Sequence, residues 1–236
     1  MLADACSERD LTKWVRVAFP ASMRLHDYAA SANCFKVRLL LALLGVPYER
    51  VPIDIFAGET LTDEYAALNP ARETPVLELD DGRALPDSAS ILAFLAEGTP
   101  FLPDDAFGRA QVLRWLVYEQ TAVVPAIGGL RFRLLTGRLA PGDPEAERRR
   151  EAGLEVLALL DAELSARPFL VGPEPTVADP ATYGYVHVAD EAGYELSAFP
   201  AVEAWLARVA ALPGFVDDLE PYPPNARPGG GRSIYD

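Results

Sequence analysis

Between Arg24 and Ala96 two hydrophobic periods take turns along the chain, and their order predicts a small mixed α/β unit. A strand through His26 is followed by a loop over 28–33. A helix then carries Val37, Leu40, Leu41 and Leu44 at i, i+3, i+4 and i+7 and closes at Gly45. A second strand over 48–53 contains Pro52, which cannot donate to a ladder and therefore belongs at a sheet edge. After a short helix over 61–68, Val76, Leu77 and Leu79 mark a third strand that begins at Pro75. It turns at Asp81-Gly82, a hairpin signal, and returns through Ala84 and Leu85. Asp87 is a good N-cap, and Ser88 opens a helix with Ile91, Leu92 and Leu95 on one face. The order βαβ then αββα predicts a right-handed parallel crossover and an antiparallel last pair. Together they make a four-stranded mixed sheet.

Past Gly98 the pattern changes. Pro100, Pro103, Asp104 and Asp105 form a polar joint, and no strand pattern follows. A helix with Val112, Trp115 and Leu116 runs toward Pro125, where it should kink or stop. A long helix after Asp143-Pro144 places Leu154, Leu157, Leu160 and Leu164 on one face, with the charges over 145–151 solvated. Thr176-x-x-Asp179 is a capping-box variant that starts an interior helix. Val202, Trp205, Leu206 and Val209 define a late helix; Trp115 and Trp205 are core candidates. Gly214 should end the packed region, before a Pro/Gly-rich irregular tail. The chain thus divides into a leader over 1–22, an α/β domain over 23–98, an all-helical domain over 104–216 and a tail over 217–236.

Composition narrows the partners. A formal charge of −14 disfavours nucleic acid and anionic membrane surfaces. No uncharged apolar h-region opens the chain, and no run of about eighteen apolar residues occurs. Cys6 and Cys34 make no disulfide framework, which favours a reducing compartment. With His26 and His187 as the only histidines, no metal constellation can be assembled, and no metal cofactor is expected.

Candidate chemistry gathers around the hairpin. The residue before a proline is held extended, so Thr74 can turn its N–H and C=O outward and pair with a peptide as one more strand would. The helix start at Asp87-Ser88 offers free N–H groups and a hydroxyl to a carboxylate. Each feature alone occurs in many folds without a ligand; their order is the stronger signal.

This arrangement resembles the soluble glutathione transferase family over residues 24 to about 216. The resemblance rests on Ser31-Ala32-Asn33-Cys34 before the Val37-Arg38 helix, on Asn69-Pro70-x-x-x-Thr74-Pro75-Val76, on Asp87-Ser88, and on Thr176-x-x-Asp179. It implies a thioredoxin-like N-terminal domain that binds glutathione as co-substrate, and an all-α domain that supplies most of the pocket for a small, mostly apolar electrophile. A cytoplasmic homodimer with a detoxifying role is implied as well.

Carried over by position, the Thr74 backbone pairs with the cysteinyl part of glutathione beside a cis-Pro75. Asp87 faces the α-amino group, and Ser88 takes the γ-glutamyl carboxylate. Arg72 reaches the glycyl carboxylate or is a solvated surface charge. Ser31 matches the serine of the theta-like and delta-like classes, and Asn33 stands where proline is common. Either could donate to the glutathione sulfur, because a thiol with pKa near 8.5 must be held as thiolate to attack at neutral pH. An ordinary helix cap is the alternative for both. Cys34 opens a second reading, a glutathione-dependent thiol/disulfide reductase, although an inward-packed thiol is the plainer account of it. A non-catalytic glutathione-binding module is a third. Tyr28, Tyr118, Arg131 and Phe132 are candidates for the second-substrate pocket.

Overall fold

Strands form where the alternating segments lie. In the computed structural model, which describes residues 19, 20 and 22–235, β1 (Met23–Asp27), β2 (Glu49–Pro52), β3 (Val76–Leu79) and β4 (Ala84–Pro86) make one sheet in the order β2-β1-β3-β4. The rest of the predicted leader, with Cys6, lies outside the described residues. β2 runs parallel to β1 at the sheet edge and carries Pro52 opposite Asp27, while β1/β3 and β3/β4 are antiparallel.

The crossover between β1 and β2 is α1 (Ala32–Leu44), capped by Ser31 and ended by Gly45 in the left-handed region at φ 64°. This helix is buried on nearly every side, which means its charged residues need partners inside the protein. Lys36 Nζ donates to Glu119 Oε1 at 2.8 Å, and Arg38 binds Asp27 through Nη1 and Asp218 through Nε. The predicted 61–68 helix is divided into a 3₁₀ turn (Glu59–Leu61) and α2 (Asp63–Leu68) by Thr62, which caps the latter. α3 (Ser88–Ala96) follows the hairpin directly.

The second region is helical. α4 (Ala106–Tyr118) does not stop at Pro125. It passes into a widened π-helical stretch (Glu119–Gly128) and on into α5 (Gly129–Leu135). A wider turn relieves the clash between a proline ring and the carbonyl four residues back, so the rod survives. α6 (Pro144–Ser165) buries Gly153, Val156, Leu157, Leu160 and Leu164, whereas Leu154 is 44% exposed. Gly153 takes the inward place instead, since a Cβ there would lie 1.9 Å from the Tyr194 hydroxyl oxygen.

α7 (Ala178–Val186) is buried along its whole length. Its Asp179 carboxylate accepts from Thr176 N (2.8 Å), Leu170 N (3.0 Å) and Trp205 Nε1 (2.9 Å). α8 (Pro200–Ala210) supplies Val202, Trp205 and Val209 to the same core, and Trp115 of α4 is also buried.

Packing does not end at Gly214. The irregular tail returns across the sheet domain, tied by Arg38–Asp218, by Glu220 N to Ala29 O (3.2 Å), by Asn225 Nδ2 to Asp54 Oδ2 (2.9 Å) and by Arg232 N to Phe56 O (2.8 Å). A Cβ at Gly231 would come within 2.3 Å of Phe56 O, so only glycine allows this approach. No helix among the described residues is long and apolar enough to cross a membrane.

Candidate active site

A cleft of about 360 Å³ lies between the sheet domain and the helices. The sheet domain contributes Tyr28, Ser31, Asn33, Ile55, Glu73 and Thr74 to its wall. Facing them are Val124, Gly128 and Phe132 from the π-helical stretch and α5, with Tyr222 and Tyr235 from the tail.

Thr74 sits before β3, and its bond to Pro75 is cis. Among the described residues no main-chain group takes its N–H or C=O, so both remain available to a strand-like ligand. Tyr65 Oη and Asn69 Nδ2 both donate to the Glu73 carbonyl at 2.9 Å, which holds this turn in place.

Ser31 is the N-cap of α1, where its Oγ accepts from Cys34 N at 3.3 Å. The hydroxyl proton is not used by that bond; Ser31 also stands in hydrogen-bond reach of the Cys34 thiol, so a ligand sulfur would compete with that thiol for it. Asn33 lies in the first turn of α1, and its Oδ1 accepts from Ser88 Oγ at 3.3 Å. The two sequence-predicted clusters are thereby joined: Asn33 bridges the cleft wall to the start of α3. Asp87 caps that helix through Ser90 N at 2.9 Å from a left-handed backbone, φ 72°, unusual outside glycine. Its carboxylate is exposed and Ser88 is buried beside it.

Four candidates are placed otherwise than expected or are inert. Arg72 does not line the cleft: its Nη1 donates to the carbonyls of Thr60 (3.1 Å) and Thr62 (3.0 Å). Tyr118 borders a separate groove between α4 and α6. Arg131 is buried in an ion pair with Glu191 (2.5 Å) and donates to Tyr222 Oη at 3.4 Å, so it braces the wall without forming it. Cys34 is fully buried, and burial followed by the nearby Asp27 charge pushes its thiol up to about 12. It is a thiol at neutral pH and has no route to a disulfide.

Tyr28 and Phe132 do line the cleft, within an aromatic cluster that sequence reasoning missed. Phe56 meets Tyr28 edge-on at 5.9 Å, and Phe132 meets Tyr235 at 5.2 Å and Tyr222 at 5.6 Å. Burial keeps the Tyr28 phenol protonated, and among the described residues its hydroxyl has no hydrogen-bond partner. The tail residues carried no periodic signal that could have marked them.

A four-stranded βαβαββα sheet domain with a cis-proline turn, joined to a helical domain across an aromatic cleft, defines the two-domain thioredoxin-like transferase architecture. The profile of the glutathione S-transferase N-terminal domain matches residues 30–97, and that of the C-terminal domain matches residues 117–213. The chain is 31% identical to glutathione S-transferase 3 of Zea mays over 86% of its own length and 97% of the relative's. A crystal structure of a glutathione S-transferase from Pseudomonas fluorescens superposes with a TM-score of 0.81 at 41% identity, covering 84% of this chain and 99% of that one. Ure2p in complex with glutathione superposes with a TM-score of 0.74 at 25% identity, covering 81% and 95%. This chain belongs to the soluble glutathione S-transferase family.

Proposed function

We propose that the chain binds glutathione along the Thr74 edge and directs its thiolate at a small, mostly apolar electrophile held in the aromatic cleft. The observation that carries this reading is the Thr74 backbone edge, free of main-chain partners among the described residues, facing the same cleft as the Ser31 hydroxyl. The Thr74 N–H and C=O pair with the cysteinyl residue. The backbone N–H groups of Ser88 and Ala89, which have no intrahelical acceptor, receive the γ-glutamyl carboxylate while the Ser88 hydroxyl stays on Asn33, and Asp87 faces the α-amino group.

The sulfur then lies over the N-terminus of α1. The Ser31 Oγ–H donates to it, and the helix dipole adds roughly 0.3–1 kcal/mol toward the thiolate. Asn33 holds Ser88 through its Oδ1 and can offer its amide N–H to the same atom. The thiol proton leaves to water, a new S–C bond forms, and the leaving group departs with its electron pair. A Ser31 donor supports the reading of a serine-type class. The reductase alternative through Cys34 finds no support in a sealed, protonated thiol.

We also infer a homodimer built on the exposed Leu113 and Val117 of α4, which border one apolar groove with Ala93 of α3. Against an aryl halide, Ser31→Ala should lower kcat/KM roughly tenfold to a thousandfold, the range for losing a donor to a developing anion. Glutathione binding by calorimetry should survive. Undiminished turnover in Ser31→Ala combined with Asn33→Ala would remove both from the thiolate site.

A further inference from the structure

We propose that the electrophile carries a carboxylate, received by Arg133 and Arg149 at the helical end of the cleft. The inference rests on the glutathione reading and adds the charge of the second substrate. Both side chains border the cleft beside Phe132. Their heads converge on Gly129: a Cβ built there would stand 3.2 Å from Arg149 Nη1 and 3.3 Å from Arg133 Nη1. Glycine leaves the room that lets two guanidinium groups share one spot.

Two cations this close repel each other, and partial burial strengthens the repulsion. Burial, then Arg149, depress the Arg133 pKa. Glu145, whose field opposes this, is already paired with Arg149 at 2.8 Å and with Arg148. Among the described residues Arg133 donates only to the Gly129 carbonyl at 3.0 Å, and Arg149 also donates to that of Pro125 at 3.0 Å. Guanidinium groups have five donors each, so both keep N–H groups for a further acceptor. A carboxylate between them relieves the repulsion and forms charge-assisted, two-point bonds. In a protein of net charge −14, this cationic spot runs against the surrounding field, which would otherwise repel an anionic substrate.

The test compares a chloronitrobenzoate with its chloronitrobenzamide as electrophiles under saturating glutathione. The wild-type protein should prefer the benzoate, and rising salt should raise the KM of the benzoate alone. In Arg133→Gln the benzoate/benzamide ratio of kcat/KM should fall roughly tenfold to a hundredfold, through KM, the cost of one charge-assisted bond. Arg133→Lys should restore part of it. A wild-type protein without preference for the benzoate overturns the proposal, as does a variant that raises the KM of glutathione with both electrophiles alike; the latter assigns the arginines to the glycyl carboxylate. No turnover of either electrophile, with no glutathione binding by calorimetry, overturns the glutathione reading and this inference together.

Discussion

Single side chains divide by whether their partners are local. Ser31, Asp87 and Ser88 sit at helix starts, where capping residues announce themselves in sequence, and the structure finds them there. Arg72 and Arg131 were not legible in the same way. A long cationic side chain can satisfy itself on any carbonyl or carboxylate in reach, and these found Thr60, Thr62 and Glu191. Cys34 shows the chemical cost of position: one turn into α1, burial holds it as a thiol. Its raised pKa means that alkylation by iodoacetamide should remain negligible in the folded protein from neutral pH to about pH 9, where a free cysteine is already largely thiolate. In a Cys6→Ser variant, which leaves Cys34 as the one thiol of the chain, rapid labelling without loss of fold would contradict the buried placement, and labelling that tracks urea unfolding would match it.

Elements were read well when their apolar face pointed at one partner, as in β3 and α3, and less well when it pointed at several. α6 buries Leu157, Leu160 and Leu164 of the predicted leucine face and departs from it only at Leu154, where Gly153 turns inward under Tyr194. The Pro125 break is absent because the widened helix absorbs the ring, and no period in the sequence distinguishes that from a kink. The start of α7 forms half of the predicted capping box: Asp179 accepts from Thr176 N, whereas the N-cap is Val177 and no side chain caps the helix in return. Asp179→Ala leaves Leu170 N, Thr176 N and Trp205 Nε1 buried without acceptors. Each orphaned donor costs about 1–3 kcal/mol, so chemical denaturation should show a loss of about 3 kcal/mol or more at an unchanged m-value. A loss under about 1 kcal/mol would mean that water replaces the carboxylate.

At the scale of the molecule, the sheet topology and the two-region layout were visible in the order of periods, whereas the docking of the tail was not. Its prolines and glycines have no repeat, and its anchors are single contacts to distant residues. The apolar face of α3 and α4 makes its own prediction. Leu113 and Val117 are 61% and 51% exposed one turn apart, so Leu113→Glu with Val117→Glu should convert a dimer to a monomer in sedimentation while leaving the circular dichroism unchanged. A wild-type protein that sediments as a monomer would refute the assigned face. The Arg38–Asp218 and Ala29–Glu220 links carry one more consequence, which concerns order in time. Arg38 and Asp218 are separated by 180 positions in the chain, so the loop they close is among the most entropically costly contacts of the fold. The strands and helices of the sheet domain join over far shorter spans. If contact order governs the sequence of events, the Thr74 edge should take shape during folding before the cleft wall that the tail completes, and pulsed hydrogen exchange should protect the amides of β1 and β3 before those of Glu220 and Arg232.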